Sequence, residues 1–148
     1  MSVFDWNPPV QFHFMVIFEG IPGSVSFAEV DGLDQELTLD DQMLQGSNVI
    51  GLPNKVKFGD IVLKRALEPL SDMMSLWVQS SFTFMITGKV FPKSMTILLL
   101  DEKSVPVAGW LCYRALPIKW KLGTLKASES GILLESMTLR HSFMMRIL

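Results

Sequence analysis

Residues 118–122 read Ile-Lys-Trp-Lys-Leu, placing Ile118, Trp120 and Leu122 on one side of an extended chain and Lys119 and Lys121 on the other. A two-residue period of this kind belongs to a strand with one dry face and one wet face. Gln11–Phe18 repeats it, with Phe12, Phe14, Val16 and Phe18 opposing Gln11, His13, Met15 and Ile17. Gly20, Pro22 and Gly23 then turn the chain, and Val25 and Phe27 share a face until the phase slips near Ala28, as at a bulge. Asp31-Gly32 reads as a bend into a further strand over Glu36–Leu39. Lys55–Leu67 is extended but changes its apolar face at Gly59-Asp60, as a strand does when it bends between two sheets. The second half predicts strands over Thr96–Leu100, Val107–Leu116, Ile118–Leu125 and Ile132–Phe143, with Pro117 separating the middle two.

One helix interrupts this pattern. Ser71 suits its N-cap and Asp72 its first turn, while Leu70, Met73, Met74, Trp77 and Val78 recur at three- and four-residue steps. Phe82–Pro92 reads either as extended chain turning at Thr87-Gly88-Lys89 or as an irregular apolar connector. Asp40–Asn54 is polar and small and predicts a loop or projecting arm. At 148 residues the chain suits a single domain over 1–148, mainly β, built as a small antiparallel barrel or two-sheet sandwich with one covering helix.

Composition sets the outer bounds. With 49% hydrophobic and 19% charged residues the chain folds rather than staying disordered. Apolar runs such as Ile97–Leu100 are far shorter than the ~18 residues of a membrane helix, so no span is expected. The opening Met-Ser-Val-Phe-Asp-Trp lacks the marks of a signal peptide, and the lone Cys112 cannot form an internal disulfide, so the chain is expected to begin in the cytoplasm. Its net charge of −2 conceals a division, because residues 1–54 hold eight acids and no Lys or Arg, whereas the remainder holds thirteen basic residues and seven acids. Either the two segments neutralise each other within one fold, or the acidic surface of one copy meets the basic surface of another.

The sequence does not assemble catalytic chemistry. His13 and His141 lie in predicted strands without HxH, HExxH or CxxC spacing and read as partly exposed strand histidines. Gly23-Ser24-Val25-Ser26 lacks the second glycine of a nucleophile elbow. Asp31, Asp34, Glu36, Asp40 and Asp41 lack the alternating ligands of a calcium loop and read as a solvated acidic edge. Gly46–Gly51 has neither the lysine nor the helix of a phosphate loop. Lys119 and Lys121 oppose Trp120, so stacking and phosphate contact would not share a face, and Trp110 and Trp120 read as core. No enzyme, cofactor or metal is expected.

From Ala115 the sequence reads ALPIKWKLGTLKA, preceded by DEKSVPVAGW at 101–110. With these belong Asn7-Pro8, Phe12, Phe14, Glu19-Gly20, Phe27–Leu33 including Gly32, Glu36, Leu52-Pro53, Lys57, Leu63-Lys64-Arg65, Glu135, Leu139 and His141. This ordered set resembles the contractile-tail tube proteins: phage tail tubes, the tubes of phage-derived injection particles and, structurally, type VI secretion Hcp. Phe14, Gly32, Lys64, Arg65, Trp110, Pro117, Lys119, Trp120 and His141 are the motif residues to which the resemblance assigns structural roles. It implies hexameric rings of barrels stacked head to tail into a hollow tube. The implied partners are further copies, a contractile sheath, baseplate hub or spike, initiator and terminator proteins, and cargo or DNA in the lumen. Assembly in the bacterial cytoplasm would precede residence in a virion tail or an extracellular or cell-anchored particle.

Two departures fall where neighbours would meet. Met43-Leu44-Gln45-Gly46-Ser47 stands where the family commonly has Tyr-Arg-Glu-Gly-Gly, and Ser142-Phe143 where it has Glu-Gly. They keep a bulk tube subunit and a tube initiator at the baseplate both open. The arm, with Asp40, Asp41, Gln45, Gly46, Ser47, Asn48 and Pro53, is expected to make contacts between subunits, since it is long and has little to anchor it. A monomeric small-ligand-binding barrel is the alternative.

Overall fold

In the computed structural model, which describes residues 12–40, 44–45, 48–49, 52–87, 91–123, 131 and 133–148, the opening alternation becomes β1 (His13–Phe18). There follow β2 (Val25–Phe27), β3 (Glu29–Asp31), β4 (Gln35–Asp40), β5 (Leu44–Gln45), β6 (Asn48–Val49), β7 (Leu52–Phe58) and β8 (Ile61–Ala66). The helix α1 (Met73–Thr87) leads to β9 (Lys93–Leu100), β10 (Pro106–Leu122), β11 (Leu134–Arg140) and β12 (Phe143–Arg146).

Hydrogen bonds order the main sheet as β2-β1-β9-β10-β11-β8-β3, with β12 also on β10. Its two end strands are consecutive pieces of one segment, separated only by Ala28, whose N–H donates to the Lys64 carbonyl at 2.9 Å. The sheet therefore closes on itself as a barrel, with β12, paired on β10 alone, as its one strand off the closed path among the described residues. The phase slip at Ala28 is the crossing point at which the segment leaves β1 for β8, rather than a bulge within one pairing.

β10 is the counterpart on the other side. It runs unbroken through Pro117, which sits at a register shift against β11 instead of separating two strands. A residue without an N–H is tolerated at such a break in the ladder. Along one flank β10 pairs first with β12 and then with β11, and Arg114, with φ of 54°, marks the bend between them. The expected strand over Ile132–Phe143 is accordingly two strands, kinked at His141-Ser142; Ile132 lies outside the described residues. The Ser142 N–H and hydroxyl both donate to the Tyr113 carbonyl at that kink.

Val16, Phe18, Ile61, Leu63, Met95, Ile97, Met137 and Leu139 fill the barrel, and Met74, Trp77 and Val78 of α1 pack onto them, with the rings of Phe18 and Trp77 5.5 Å apart. Phe14, Trp110 and Trp120 are partly buried against this core. Two features of the helix depart from the sequence reading. Its cap is Asp72 rather than Ser71, since Asp72 Oδ2 accepts the Ser75 N–H at 3.1 Å. It also continues to Thr87, so much of the ambiguous Phe82–Pro92 is helix; residues 88–90 lie outside the described set. Leu70 and Met73, expected on the core stripe, are exposed: Leu70 precedes the helix and Met73 is its first residue.

The change of face at Gly59-Asp60 is where β7 leaves the hairpin it forms with β4 and β8 enters the barrel. The bend requires Gly32, which has φ of +89° and packs so closely on the Asp60 carbonyl that a Cβ would collide with its oxygen. Gly23 has φ of +76° but open space around it. Gly23→Ala is therefore expected to cost about 1 kcal/mol for left-handed backbone alone. Gly32→Ala adds the collision and is expected to cost at least about 3 kcal/mol. Denaturant midpoints of the two variants test the difference, and equal losses would mean that the close approach is unimportant.

Candidate assembly interface

Asp40–Asn54 belongs to a larger hairpin than expected, beginning at Gln35 and returning to Phe58. β4 and β7 pair with each other and with no barrel strand, so the arm stands off the barrel. Leu37 pairs with Val56, and they share a face with Leu39; these side chains are 50%, 50% and 52% exposed. Of the expected contact residues, Asp41, Gly46 and Ser47 lie outside the described residues; Asp40, Gln45, Asn48 and Pro53 are placed in strands.

The arm's root is held from the β11–β12 corner. His141 is not in a strand but fills the kink, its Nε2 3.0 Å from the Gly59 carbonyl oxygen and its ring 5.6 Å from Phe58. Phe143 stacks edge-on against Phe58 at 5.5 Å and lies 5.8 Å from Tyr113. Arg140 reaches both carboxylate oxygens of Asp60 at 3.2 and 3.3 Å. That pair is exposed, and its work is to orient the bend rather than to stabilise the fold.

The barrel's outer surface has two characters. Over β1, β9, β10 and β12, Ile17, Thr96, Leu111 and Met145 form one cross-strand row, and Met15, Leu98, Gly109 and Ile147 form another. Both rows are uncharged, and beneath them the alternate residues Val16, Ile97, Cys112 and Met144 are core. Apart from Thr96 in the outer row and Arg146, which lies over the Trp110 ring at the β12 end of the inner row, this part of the sheet is apolar on both faces. Over β10, β11, β8 and β3 the outer rows are Lys121, Ser136, Lys64, Glu29 and Lys119, Thr138, Val62, Asp31. The wet face expected for Lys119 and Lys121 is therefore part of a polar half-barrel, although Ile118, at the register shift, is also exposed. Lys64 pairs with Glu29 at 3.5 Å, which joins the acidic and basic segments within one chain at this point.

Where β8 ends, Arg65 is buried. Its Nη2 donates to Asp72 Oδ2 at 2.6 Å and to Ser75 Oγ at 2.9 Å, and its Nε lies 3.5 Å from Glu135 Oε1. Glu135 is 1% exposed and accepts the Glu68 N–H through its other oxygen at 2.9 Å. Beside this network a cleft of about 390 Å³ opens between α1 and the strand ends, walled by Leu67, Leu70, Val78 and Trp120. The sequence reading missed Asp72, Ser75 and Glu135 as partners of Arg65, since neither period nor spacing links them. Among the described residues no three His, Cys, Asp or Glu side chains form a metal-holding group.

A family model for the T4-like virus tail tube protein gp19 matches residues 10–144. The chain belongs to that family. This tail tube protein is thus a structural subunit rather than an enzyme. It is similar in fold to a chain of the sheath-tube complex of an extracellular contractile injection system, PVC, in the extended state, with TM-score 0.74, 19% identity and coverage of 99% of this chain and 98% of the other. It is also similar to a chain of the anti-feeding prophage baseplate, with TM-score 0.67, 24% identity and coverage of 99% and 97%. Hcp1 from Flavobacterium johnsoniae matches with TM-score 0.56, 13% identity and coverage of 90% and 94%. The comparison with curated proteins finds no match. The tail tube protein shares its fold with chains of these assemblies.

Two outcomes test the Arg65 network. Arg65→Met should lose about 3 kcal/mol or more, because Glu135 is left buried without its countercharge, and Arg65→Met combined with Glu135→Leu should recover most of the loss in denaturant melts. Desolvation pushes the Asp72 carboxyl up, but hydrogen bonds from Arg65 and the Ser75 N–H, with the Arg65 charge, outweigh it and hold the carboxyl below its usual range. The resulting stability is complete above the unfolded value of about 3.9 and is lost as pH falls through the lower folded value. Asp72→Asn, which preserves the cap, should therefore be less stable at pH 7 and lose less stability on acidification below about pH 4. Parallel acid-unfolding curves for the two proteins would contradict this.

Proposed function

We propose that this tube protein assembles as hexameric rings that stack head to tail into the hollow inner tube of a contractile tail or phage-like injection particle. The observation that carries the reading is the doubly apolar sheet of β1, β9, β10 and β12 in a chain of the tail tube family. A sheet with one apolar face satisfies a barrel, whereas a second apolar face over four strands calls for a cover outside the subunit. Neighbouring copies supply it on ring closure, and the polar half-barrel stays in water. The high apolar content of the chain then reflects surface shared between subunits.

In this reading a sheath contracts around the rigid tube and drives it through a target envelope, and cargo or DNA passes along the lumen. Sheath, baseplate, initiator and terminator proteins are its heterologous partners. Assembly takes place in the cytoplasm of the producing bacterium, before the tube joins a virion tail or extracellular particle. A monomeric ligand-binding barrel gains no support, since core side chains occupy the centre where such a barrel keeps its cavity.

Negative-stain microscopy of the purified protein should show rings or tubes of uniform diameter, and compact monomers alone would defeat the proposal. Deleting Gln45–Val49 should leave a folded protein with its thermal transition but reduce tube formation at least about tenfold, as the arm joins subunits rather than building the core. Unfolding of the deletion variant would place the arm in the core instead.

A further inference from the structure

The cleft of about 390 Å³ between α1 and the strand ends combines two kinds of surface. Leu67, Leu70, Val78 and a half-buried Trp120 make its walls apolar. The rest of the lining is polar, from Ser75, Gln79, Glu68 and Glu135, and among the described residues neither Lys nor Arg contributes to it. Small-molecule sites run from about 300 to 1,000 Å³, and about 150 Å³ already holds benzene. A fused ring with a short chain fits the space.

Charge decides what kind of molecule that is. The Arg65 guanidinium behind the cleft is shared between two carboxylates and favours one of them. Its Nη2 meets Asp72 at 2.6 Å, whereas Glu135 Oε1 has only Nε at 3.5 Å, and that N–H has no hydrogen-bond partner. Charge-assisted N–H···O bonds run at about 2.7–2.9 Å, so Glu135 Oε1 keeps an acceptor position unfilled. Glu135 is 1% exposed yet forms part of the lining, which makes the cleft the open side of this carboxylate. Glu68, whose N–H is held by Glu135 Oε2, brings a further carboxylate to the same lining. That carboxylate is without an ion pair or hydrogen bond among the described residues. Three acids therefore gather around one guanidinium, and the surplus faces the cleft.

Apolar walls that include an indole, with surplus carboxylates at one end, select an apolar body with a cationic head. An anionic ligand would add to the surplus and is repelled. We propose that the cleft binds a small aromatic ammonium compound, its ring held by Leu67, Leu70, Val78 and Trp120 and its amino group donating to Glu135 Oε1 and the Glu68 carboxylate. An ammonium group has three N–H donors, so it serves both acids at once. The site is formed within one subunit and goes beyond the tube reading, since it does not depend on ring closure.

Calorimetric titration of the protein with tryptamine at pH 7 tests the site. Tryptamine should bind once per subunit with a dissociation constant of about 1 mM or tighter. It should also bind at least about tenfold more tightly than 3-ethylindole or indole-3-propionate, which carry the same ring without the positive charge. Glu68→Gln should weaken tryptamine about fivefold or more, whereas Glu102→Gln, which removes the same charge from the turn between β9 and β10, should leave binding unchanged. Leu70 is exposed at the cleft, so Leu70→Lys puts a competing ammonium there without disturbing the core and should reduce binding at least about tenfold; Leu70→Glu should not reduce it. Unchanged thermal transitions would show that these variants remain folded. No heat of binding at about 5 mM tryptamine would overturn the assignment. So would equal binding of indole-3-propionate, equal losses from Glu68→Gln and Glu102→Gln, or full binding by Leu70→Lys.

Discussion

Burying the Arg65 guanidinium is the most demanding requirement in the fold, because an ion withdrawn from water costs several kcal/mol unless countercharges and hydrogen bonds replace the solvent. Asp72 and Ser75 approach it from the helix, and Glu135 from β11. The Phe27 ring faces it at 5.6 Å. Satisfying one side chain therefore fixes four segments relative to each other: β2, β8, β11 and the first turn of α1. Asp72 serves twice, as partner of Arg65 and as acceptor for the Ser75 N–H, so the ion pair cannot be moved without uncapping the helix. Glu135 likewise holds the Glu68 N–H, which closes the link between β8 and α1. The cleft wall is built on that arrangement.

The other end of β8 is governed by packing rather than charge. Gly32 lies against the Asp60 carbonyl, His141 contacts the Gly59 carbonyl, and Phe58 and Phe143 close the corner. The chain changes sheets here, and every contact that defines the change comes from another segment. One short strand thus connects a hairpin that stands off the barrel with a cleft that lies open.

The division of the outer surface is the second organising feature. β10 spans it on one side of the barrel, as the segment crossing at Ala28 does on the other, since the first part of β10 lies in the largely apolar sheet and its second part in the polar one. The bend at Arg114 and the register shift at Pro117 separate the two regimes. Each half then follows its own alternation, apolar against apolar or lysine against core.

The sequence by itself determined the strand content, the helix with its Met74, Trp77 and Val78 stripe, the bend at Gly59-Asp60 and the break in phase at Ala28. Each of these is a local period or a local exception to one, legible in side chains a few residues apart. Gly32 and Arg65 were marked as motif residues by resemblance, without a physical reason attached. Only the tertiary structure decided that Ala28 closes a barrel, that Pro117 lies inside one long strand, that His141 leaves its strand, and that Asp72 rather than Ser71 caps the helix. The arm's hairpin and the cleft opposite it belong to the same class. Apart from the cap, which is a local Asp72–Ser75 bond, these depend on pairings between residues far apart in the chain: Ala28 with Lys64, Leu116 with Arg140, His141 with Gly59, Leu37 with Val56. Local periodicity registers which face of a residue is dry; it carries no information on which distant segment dries it.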